Sequence, residues 1–247
     1  MDRIDGLSLN LEKNNIDKIK ELFPEAVEEG KINFDMLRAM LGDEIDDSRE
    51  KYQFTWNGKA KSIKLAQTPS SATLRPCKDK SEYWDTTENL YIEGNNLDVL
   101  KQLQKTYYGK IDVIYIDPPY NTGVNLIYKN DYSISADEYL KSTQQVDSIG
   151  NRFVSNPVTS GRFHSNWLNM IYPTLINAKN LLTDEGILVL TIDDNEISSI
   201  IMMLDELFGE SNRLGIVTIK NNPQGRSSVT GFQISHEYAL FYRKRHI

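Results

Sequence analysis

The sequence predicts an α/β fold in which an open, mostly parallel sheet follows an α-helical N-terminal extension. From residue 88 onward, strand and helix patterns alternate along the chain, which is typical of strands joined by helical crossovers. Two strand patterns, at 111–116 and 186–192, are apolar at almost every position, as expected for strands buried on both faces of a parallel sheet. Hydrophobic residues make up 39% of the 247 residues, which is enough to form a core.

An acidic helical extension and linker are predicted for residues 1–75. Apolar residues recur at helical spacing over 7–22 and 31–41. Polar residues, prolines and a glycine over 43–80 predict a linker or an extended segment that wraps the domain, with a short strand at 52–56. The first 50 residues carry a net charge of −7, as large as that of the whole chain. This segment is therefore not expected to lie on the phosphates of nucleic acid.

The region that follows, 76–247, is predicted to form the α/β domain. Glycines are expected to end the first and third of its helices, and Pro173 to kink the second or begin its second half. Asp193, Asp194 and Asn195 are expected to cap the third helix. The predicted strands cover 89–93, 111–116, 186–192, 214–220 and 238–243, and the predicted helices cover 96–107, 165–182 and 197–208.

The composition excludes several classes of protein. No run approaches the ~18–20 consecutive apolar residues of a membrane helix, and the first residues lack an apolar signal region, so we expect no membrane partner and a cytoplasmic location. Cys77 is the single cysteine, which excludes an internal disulfide and a cysteine-cluster zinc site. His164 and His236 lack partners at metal-ligand spacing, so no metal site is predicted.

An unusual motif, Asp117-Pro-Pro-Tyr-Asn-Thr-Gly123, follows the first strongly apolar strand. Each proline fixes its own φ and holds the preceding residue extended. The Asp117 carboxylate and the Pro118 carbonyl are therefore expected to lie side by side as two hydrogen-bond acceptors, with the ring of Tyr120 close by. A planar heterocycle that bears an amino group fits this arrangement, because the amine can donate to both acceptors while the ring stacks on Tyr120.

Two fixed acceptors also suit a reaction at that amine. The lone pair of an exocyclic amine is delocalised into its ring, and the acceptors draw the nitrogen toward tetrahedral geometry. They further stabilise the positive charge that develops as the nitrogen attacks an electrophilic carbon. Asn121 and Thr122 either line the pocket or only form the turn. Trp167 has the spacing of a core residue.

The Asp-Pro-Pro-Tyr motif at a strand end resembles the catalytic motif of amino-type DNA methyltransferases. A longer ordered set of segments, covering roughly residues 50–245, resembles the modification (Mod) subunit of type III restriction–modification systems. These segments are 73–77, 84–97, 114–123, 163–182, 192–196 and 236–238.

The resemblance implies a Rossmann-like methyltransferase sheet and site-specific methylation of adenine N6 in DNA, with S-adenosylmethionine as the methyl donor and the adenine flipped out of the duplex. The implied partners are DNA, a restriction (helicase and nuclease) subunit and a second modification subunit. Residues 124–161 would form a lid or DNA-facing loop. The implied catalytic residues are Asp117, Pro118, Pro119 and Tyr120, and the implied cofactor contacts are Asn95, Asn96, Asp117 and Thr122.

Two departures from the family leave alternatives open. None of the fourteen glycines forms a Gly-x-Gly pair, so residues 76–247 are expected to be a partial catalytic domain that ends before the glycine-rich cofactor loop. Asn95 stands where the family usually has Asp. One alternative is therefore an inactive remnant, or half of a split enzyme, that serves as a protein-interaction module. Another is an RNA or protein N-methyltransferase that shares the motif.

Overall fold

A computed structural model describes residues 7–28, 30–42, 53–122, 163–221 and 234–245. The predicted lid or DNA-facing loop at 124–161 lies outside these residues, as does Gly123. The described helices are α1 (Leu11–Leu22), α2 (Phe34–Leu41), α3 (Lys59–Gln67), α4 (Asn96–Tyr107), α5 (Phe163–Leu181) and α6 (Ile197–Phe208). The described strands are β1 (Val27–Glu28), β2 (Lys31–Ile32), β3 (Ile111–Ile116), β4 (Leu182–Ile192), β5 (Arg213–Lys220) and β6 (His236–Arg243).

Four strands form the main sheet, in the order β3-β4-β6-β5. β3 runs parallel to β4, with Ile116 beside Leu190, and α5 lies between these two strands in the chain. β6 is antiparallel to both β4 and β5. The predicted α/β class is confirmed, and the described sheet is mixed, because its last two strands pair as an antiparallel ribbon.

The core lies between one face of this sheet and helices α5 and α6. Alternate residues of β4 and β6 point into it and are fully buried, among them Leu188, Leu190 and Leu240. Ile200 and Leu204 supply the buried face of α6. Gly209 ends α6 at φ +89°, as the sequence predicts, because glycine adopts this conformation without strain.

The opposite face of the sheet is open in the described part of the chain. Val113 and Tyr115 on β3 are 60% and 63% exposed, whereas Ile114 and Ile116 pack against the core. The prediction that β3 is buried on both faces is wrong for these residues. An apolar run alone does not say which of its two faces is covered, since that depends on the helices that pack there.

The N-terminal helices are shorter than predicted, because asparagine side chains cap each of them. The Asn10 side chain accepts a hydrogen bond from the Lys13 N–H (2.9 Å), so α1 begins at Leu11 rather than at residue 7. Asn33 accepts from the N–H groups of two first-turn residues of α2, which therefore begins at Phe34. The residues between the helices form the two-stranded hairpin β1–β2.

Helix α3 contradicts the predicted linker or extended wrap over 43–80, because part of this segment is helical. It occupies 59–67, residues 53–56 form no strand, and 43–52 lie outside the described residues. The helix packs on α5 through the small buried residues Ser62 and Ala66 rather than through a stripe of large apolar ones, so its sequence shows little helical periodicity. The predicted strand at 89–93 is also wrong, because this segment has no regular secondary structure and pairs with none of the described strands.

Asn169 of α5 holds the segment around α3 in place. Its side-chain oxygen accepts from Trp56 Nε1 (2.8 Å) and from the Ser62 hydroxyl (3.0 Å), and its amide nitrogen donates to the Asn57 carbonyl (3.1 Å). Trp56 also packs edge-on against Tyr172, with ring centroids 5.1 Å apart. Residues 54–67 are therefore fixed to the core of the α/β domain.

Within the described parts of the chain, no helix has the length and apolar character needed to cross a membrane.

We expect Asn169→Ala to lower the free energy of unfolding by about 1–3 kcal/mol, because it leaves the Trp56 and Ser62 donors without their shared acceptor. Urea denaturation followed by circular dichroism measures this change. The matched control is Asn180→Ala on the same helix, where the side chain forms no hydrogen bond among the described residues. It should change stability by less than about 0.5 kcal/mol. Equal effects of the two substitutions would contradict the role given to Asn169.

Candidate active site

The motif loop, residues 117–122, begins where β3 ends, at the carboxyl edge of the parallel strand pair. Asp117 is exposed there, and one of its carboxylate oxygens accepts a hydrogen bond from the Thr191 hydroxyl of β4 at 2.9 Å. The parallel register explains this contact, because Ile116 and Leu190 are neighbours and the next residue of each strand follows them. The carboxyl edge of such a sheet is where α/β proteins bind ligands.

The backbone carbonyls of the two prolines differ, because the Pro119 carbonyl accepts a hydrogen bond and the Pro118 carbonyl does not accept one from the described residues. The Pro119 carbonyl accepts a short hydrogen bond from Trp167 Nε1 (2.6 Å), and Trp167 is a buried residue of α5. No hydrogen bond to the Pro118 carbonyl is formed by any residue that the structure describes. Pro118 itself is buried and Asp117 is exposed, so the pairing of the Asp117 carboxylate with the Pro118 carbonyl as two acceptors for a ligand stays a prediction. The hydrogen bond from Trp167 fixes the loop at Pro119.

Tyr120 is half-buried at the edge of the core and is held at its hydroxyl. The hydroxyl donates to Glu237 Oε2 of β6 (3.2 Å), and the same carboxylate oxygen accepts from the Asn221 amide (2.8 Å). Burial raises the pKa of Tyr120 well above its usual range, and the nearby carboxylates of Asp117 and Glu237 raise it further. The hydroxyl therefore stays protonated and keeps donating to Glu237 at physiological pH.

Asn121 follows Tyr120 in a left-handed backbone conformation, with φ +56°. Its amide donates to Glu196 Oε1 at 2.5 Å, and the His164 Nδ1 atom lies 2.8 Å from the same oxygen. The Asn121 side chain thus stabilises the turn. The sequence left open whether Thr122 lines the pocket or only forms the turn. In the structure it is exposed at the end of the described segment.

The predicted cofactor residues Asn95 and Asn96 are not brought to the motif loop by any hydrogen bond in the described residues. Asn95 caps α4 instead, because its side-chain oxygen accepts from the Asp98 N–H (3.2 Å). Helix α4 packs on α5, where Gln104 donates to the backbone carbonyl of Asn177 (2.9 Å). The role of Asn95 and Asn96 in cofactor binding stays a prediction.

The structure corrects the interpretation of residues 193–195. Asp193 accepts from the backbone and side chain of Asn195 and so closes a turn, while Asp194 accepts from the Tyr238 hydroxyl (2.9 Å). Helix α6 has Glu196 at its N-cap, without a side-chain cap. The predicted capping is wrong, because these side chains bond before the helix begins or across to β6.

Four residues that position the loop were not predicted as site residues: Trp167, Thr191, Glu196 and Glu237. Thr191 interrupts an apolar strand, and Glu237 introduces a charge into one. A polar residue within an apolar strand is the signal by which Thr191 and Glu237 could have been predicted as site residues. Trp167 and Glu196 give no such signal, since Trp167 has the spacing of a core residue and a glutamate before a helix is common.

Residues 111–247 match the family model described as DNA methylase, of the N6/N4 methyltransferase type. The chain belongs to this DNA methylase family. The family resemblance predicted from the motifs is thereby confirmed, and the matched region begins with β3 and includes the whole motif loop.

Relatives of this chain include type III modification subunits. The chain is 33% identical over 231 residues to the Mod subunit of the EcoPI enzyme from Escherichia phage P1 and to that of EcoP15I from Escherichia coli. Each match covers 92% of this chain and 36% of the relative, so the chain spans about a third of their length. The type II methyltransferase M.KpnI from Klebsiella pneumoniae is 33% identical over 168 residues, or 68% of this chain and 35% of that protein.

Among solved structures, a complex of M1.HpyAVI with S-adenosylmethionine is 16% identical to this chain, with a TM-score of 0.33. The match covers 62% of this chain and 54% of that structure.

We expect Trp167→Phe to loosen the motif loop while the core stays packed, because phenylalanine fills most of the same space but cannot donate to Pro119. The free energy of unfolding should fall by about 1–2 kcal/mol. Amide hydrogen exchange of Tyr120 should accelerate. Trp84→Phe, at an exposed position, is the control and should change neither quantity. Unchanged exchange at Tyr120 in Trp167→Phe would contradict the anchoring role of Trp167.

Proposed function

We propose that this chain forms the adenine-binding part of a type III Mod subunit, a site-specific DNA methyltransferase that methylates adenine N6 with S-adenosylmethionine as donor. The two acceptors at the carboxyl end of β3 support this function most directly, because an exocyclic amine has two N–H groups to match them. Membership of the DNA methylase family supports the reaction, and similarity to the EcoPI and EcoP15I Mod subunits supports the type III system.

The residues of the loop divide the chemistry between them. The adenine amine donates one N–H to the Asp117 carboxylate and the other to the Pro118 carbonyl, which localises the nitrogen lone pair. The ring of Tyr120 stacks on the base, and a base–aromatic stack is worth about 1–3 kcal/mol. Because no strong base is present in the loop, catalysis depends on orientation and on stabilising the positive charge that forms on the nitrogen.

Bound S-adenosylmethionine supplies an electrophilic methyl carbon on a positively charged sulfur. With that group bound, the nitrogen lone pair would form the new C–N bond, and the electrons of the broken C–S bond would stay on sulfur. The surplus proton leaves the nitrogen along the hydrogen bond to Asp117, whose carboxylate is exposed and can pass it to water. The pairing of Asp117 with Thr191 holds the carboxylate toward the edge where both substrates meet.

For cofactor binding we propose Asp117 and Thr122 in the motif loop, with Asn95 and Asn96 at the start of α4. The exposed Asp117 and Thr122 fit a polar ligand at the carboxyl edge of the sheet. The Asn95 oxygen already caps α4, so its amide nitrogen is the group that can donate to a ligand. The proposed macromolecular partners are duplex DNA, from which the adenine is flipped, a restriction subunit and a second Mod subunit.

The experiment that tests this function measures methyl transfer from radiolabelled S-adenosylmethionine to duplex DNA by the purified chain, after calorimetric titration of the cofactor. We expect Asp117→Ala to lower the rate by about 100- to 1,000-fold, because one of the two acceptors for the developing charge is lost. The fold should be unaffected, since the Asp117 side chain is exposed and its described hydrogen bond is to Thr191.

Asp112→Ala is the matched control. Asp112 is exposed at the other end of β3 and accepts from the Thr183 hydroxyl of β4 (3.2 Å), so it forms the same kind of pair away from the loop. This variant should transfer methyl groups to DNA at the same rate as the unmodified chain. Transfer that survives Asp117→Ala would contradict the site, and transfer to RNA or protein in preference to DNA would contradict the substrate.

A further inference from the structure

Glu196 is fully buried, with 0% of its surface exposed, although it is an ionisable side chain. It lies at the N-cap of α6, and its Oε1 atom joins two other parts of the fold. Asn121 of the motif loop donates to this oxygen at 2.5 Å, and His164 in the first turn of α5 contacts it at 2.8 Å. The second oxygen, Oε2, has no hydrogen-bond partner among the residues that the structure describes.

A carboxylate in this position is costly unless it is well bonded, because burial removes its hydration. Three features offset this cost. The Asn121 amide and the His164 imidazole lie within hydrogen-bond distance, and the N-terminus of α6 favours a negative charge. Core packing alone does not explain the residue, since an apolar side chain of similar volume would serve that purpose without the cost.

The hydrogen bond between Glu196 and Asn121 ties the buried carboxylate directly to the motif loop. Asn121 is one of two described non-glycine residues with positive φ, a conformation that is unfavourable for most residues and tolerated by asparagine. It comes immediately after Tyr120, so its backbone direction determines how the chain leaves the proposed base-stacking residue. Trp167 fixes the loop at Pro119, and Glu196 fixes it two residues later.

We propose that Glu196 is a positioning residue, whose buried carboxylate holds Asn121 and thereby aims Asp117 and Tyr120 at the amine-bearing base. This role rests on the proposed function of the loop. Glu196 acts through Asn121 and forms no contact with Asp117 or Tyr120 in the described residues.

Glu196→Met separates positioning from support of the fold. Methionine has a similar length, and replacement of a buried ionic group by a well-packed apolar one is often neutral or stabilising. His164 has 61% of its side chain exposed, so water can solvate it once the carboxylate is gone. The thermal midpoint should therefore stay the same or rise. The amide exchange of Tyr120 and Asn121 should accelerate at least about tenfold, and kcat should fall by about 100-fold with the KM for S-adenosylmethionine unchanged.

Three further variants test the route through Asn121. Glu196→Gln keeps the acceptor but loses the charge, so kcat should fall only about fivefold. Asn121→Gly tolerates the positive φ but removes the amide, and should match Glu196→Met in both exchange and kcat. The double variant should lose no more than either single one, because both remove the same interaction. Glu210→Met, at an exposed glutamate just after α6, is the control and should change neither quantity.

Unmodified kcat and loop exchange in Glu196→Met would overturn the role of Glu196, as would additive losses in the double variant. A variant that fails to fold leaves the decision to Glu196→Gln and Asn121→Gly. Absence of methyl transfer by the unmodified chain would count against the proposed function instead, and amide exchange of the loop would still decide whether Glu196 positions it.

Discussion

The parallel pairing of β3 with β4 is the constraint on which the site depends. It sets Ile116 beside Leu190, and the chain continues from there into Asp117 on one strand and Thr191 on the other. The hydroxyl of Thr191 then meets the Asp117 carboxylate at 2.9 Å. A shift of this register by one residue would turn the buried leucines of β4 away from the helices and remove Thr191 from the carboxylate. The apolar packing of the sheet and the polar geometry at its edge are therefore set by the same register.

Helix α5 links the core to the site. Leu175 and Trp167 are buried, and the indole N–H of Trp167 reaches out to the Pro119 carbonyl. On its other side, Asn169 binds the segment around α3 by three side-chain hydrogen bonds. A single helix thus supports the motif loop and fixes the polar segment that precedes the α/β region. This division of contacts explains why α5 is largely buried and yet carries polar residues at several positions.

The motif loop is held at four of its residues by partners from β4, α5, β6 and the N-cap of α6. Thr191 from β4 binds Asp117, Trp167 from α5 binds Pro119, Glu237 from β6 binds Tyr120, and Glu196 before α6 binds Asn121. The Pro118 carbonyl, between the first two, accepts no hydrogen bond from the described residues, and it is the acceptor that we propose for the base. Preorganisation of this kind is what the proposed reaction requires, because without a strong base the acceptors must already point to where positive charge develops.

The sequence by itself determined the α/β class, most elements from residue 96 onward, the motif and the family, since apolar periodicity and a proline-fixed turn are local properties. It did not reveal α3, which docks through small residues, or the capping pattern of the N-terminal helices. The open face of β3 was not predictable either, because burial depends on which helices pack against a strand. Only the tertiary structure showed that Thr191, Glu196 and Glu237 converge on the loop. Each is remote from the motif along the chain, and only the strand register and helix packing bring them within hydrogen-bond distance of it.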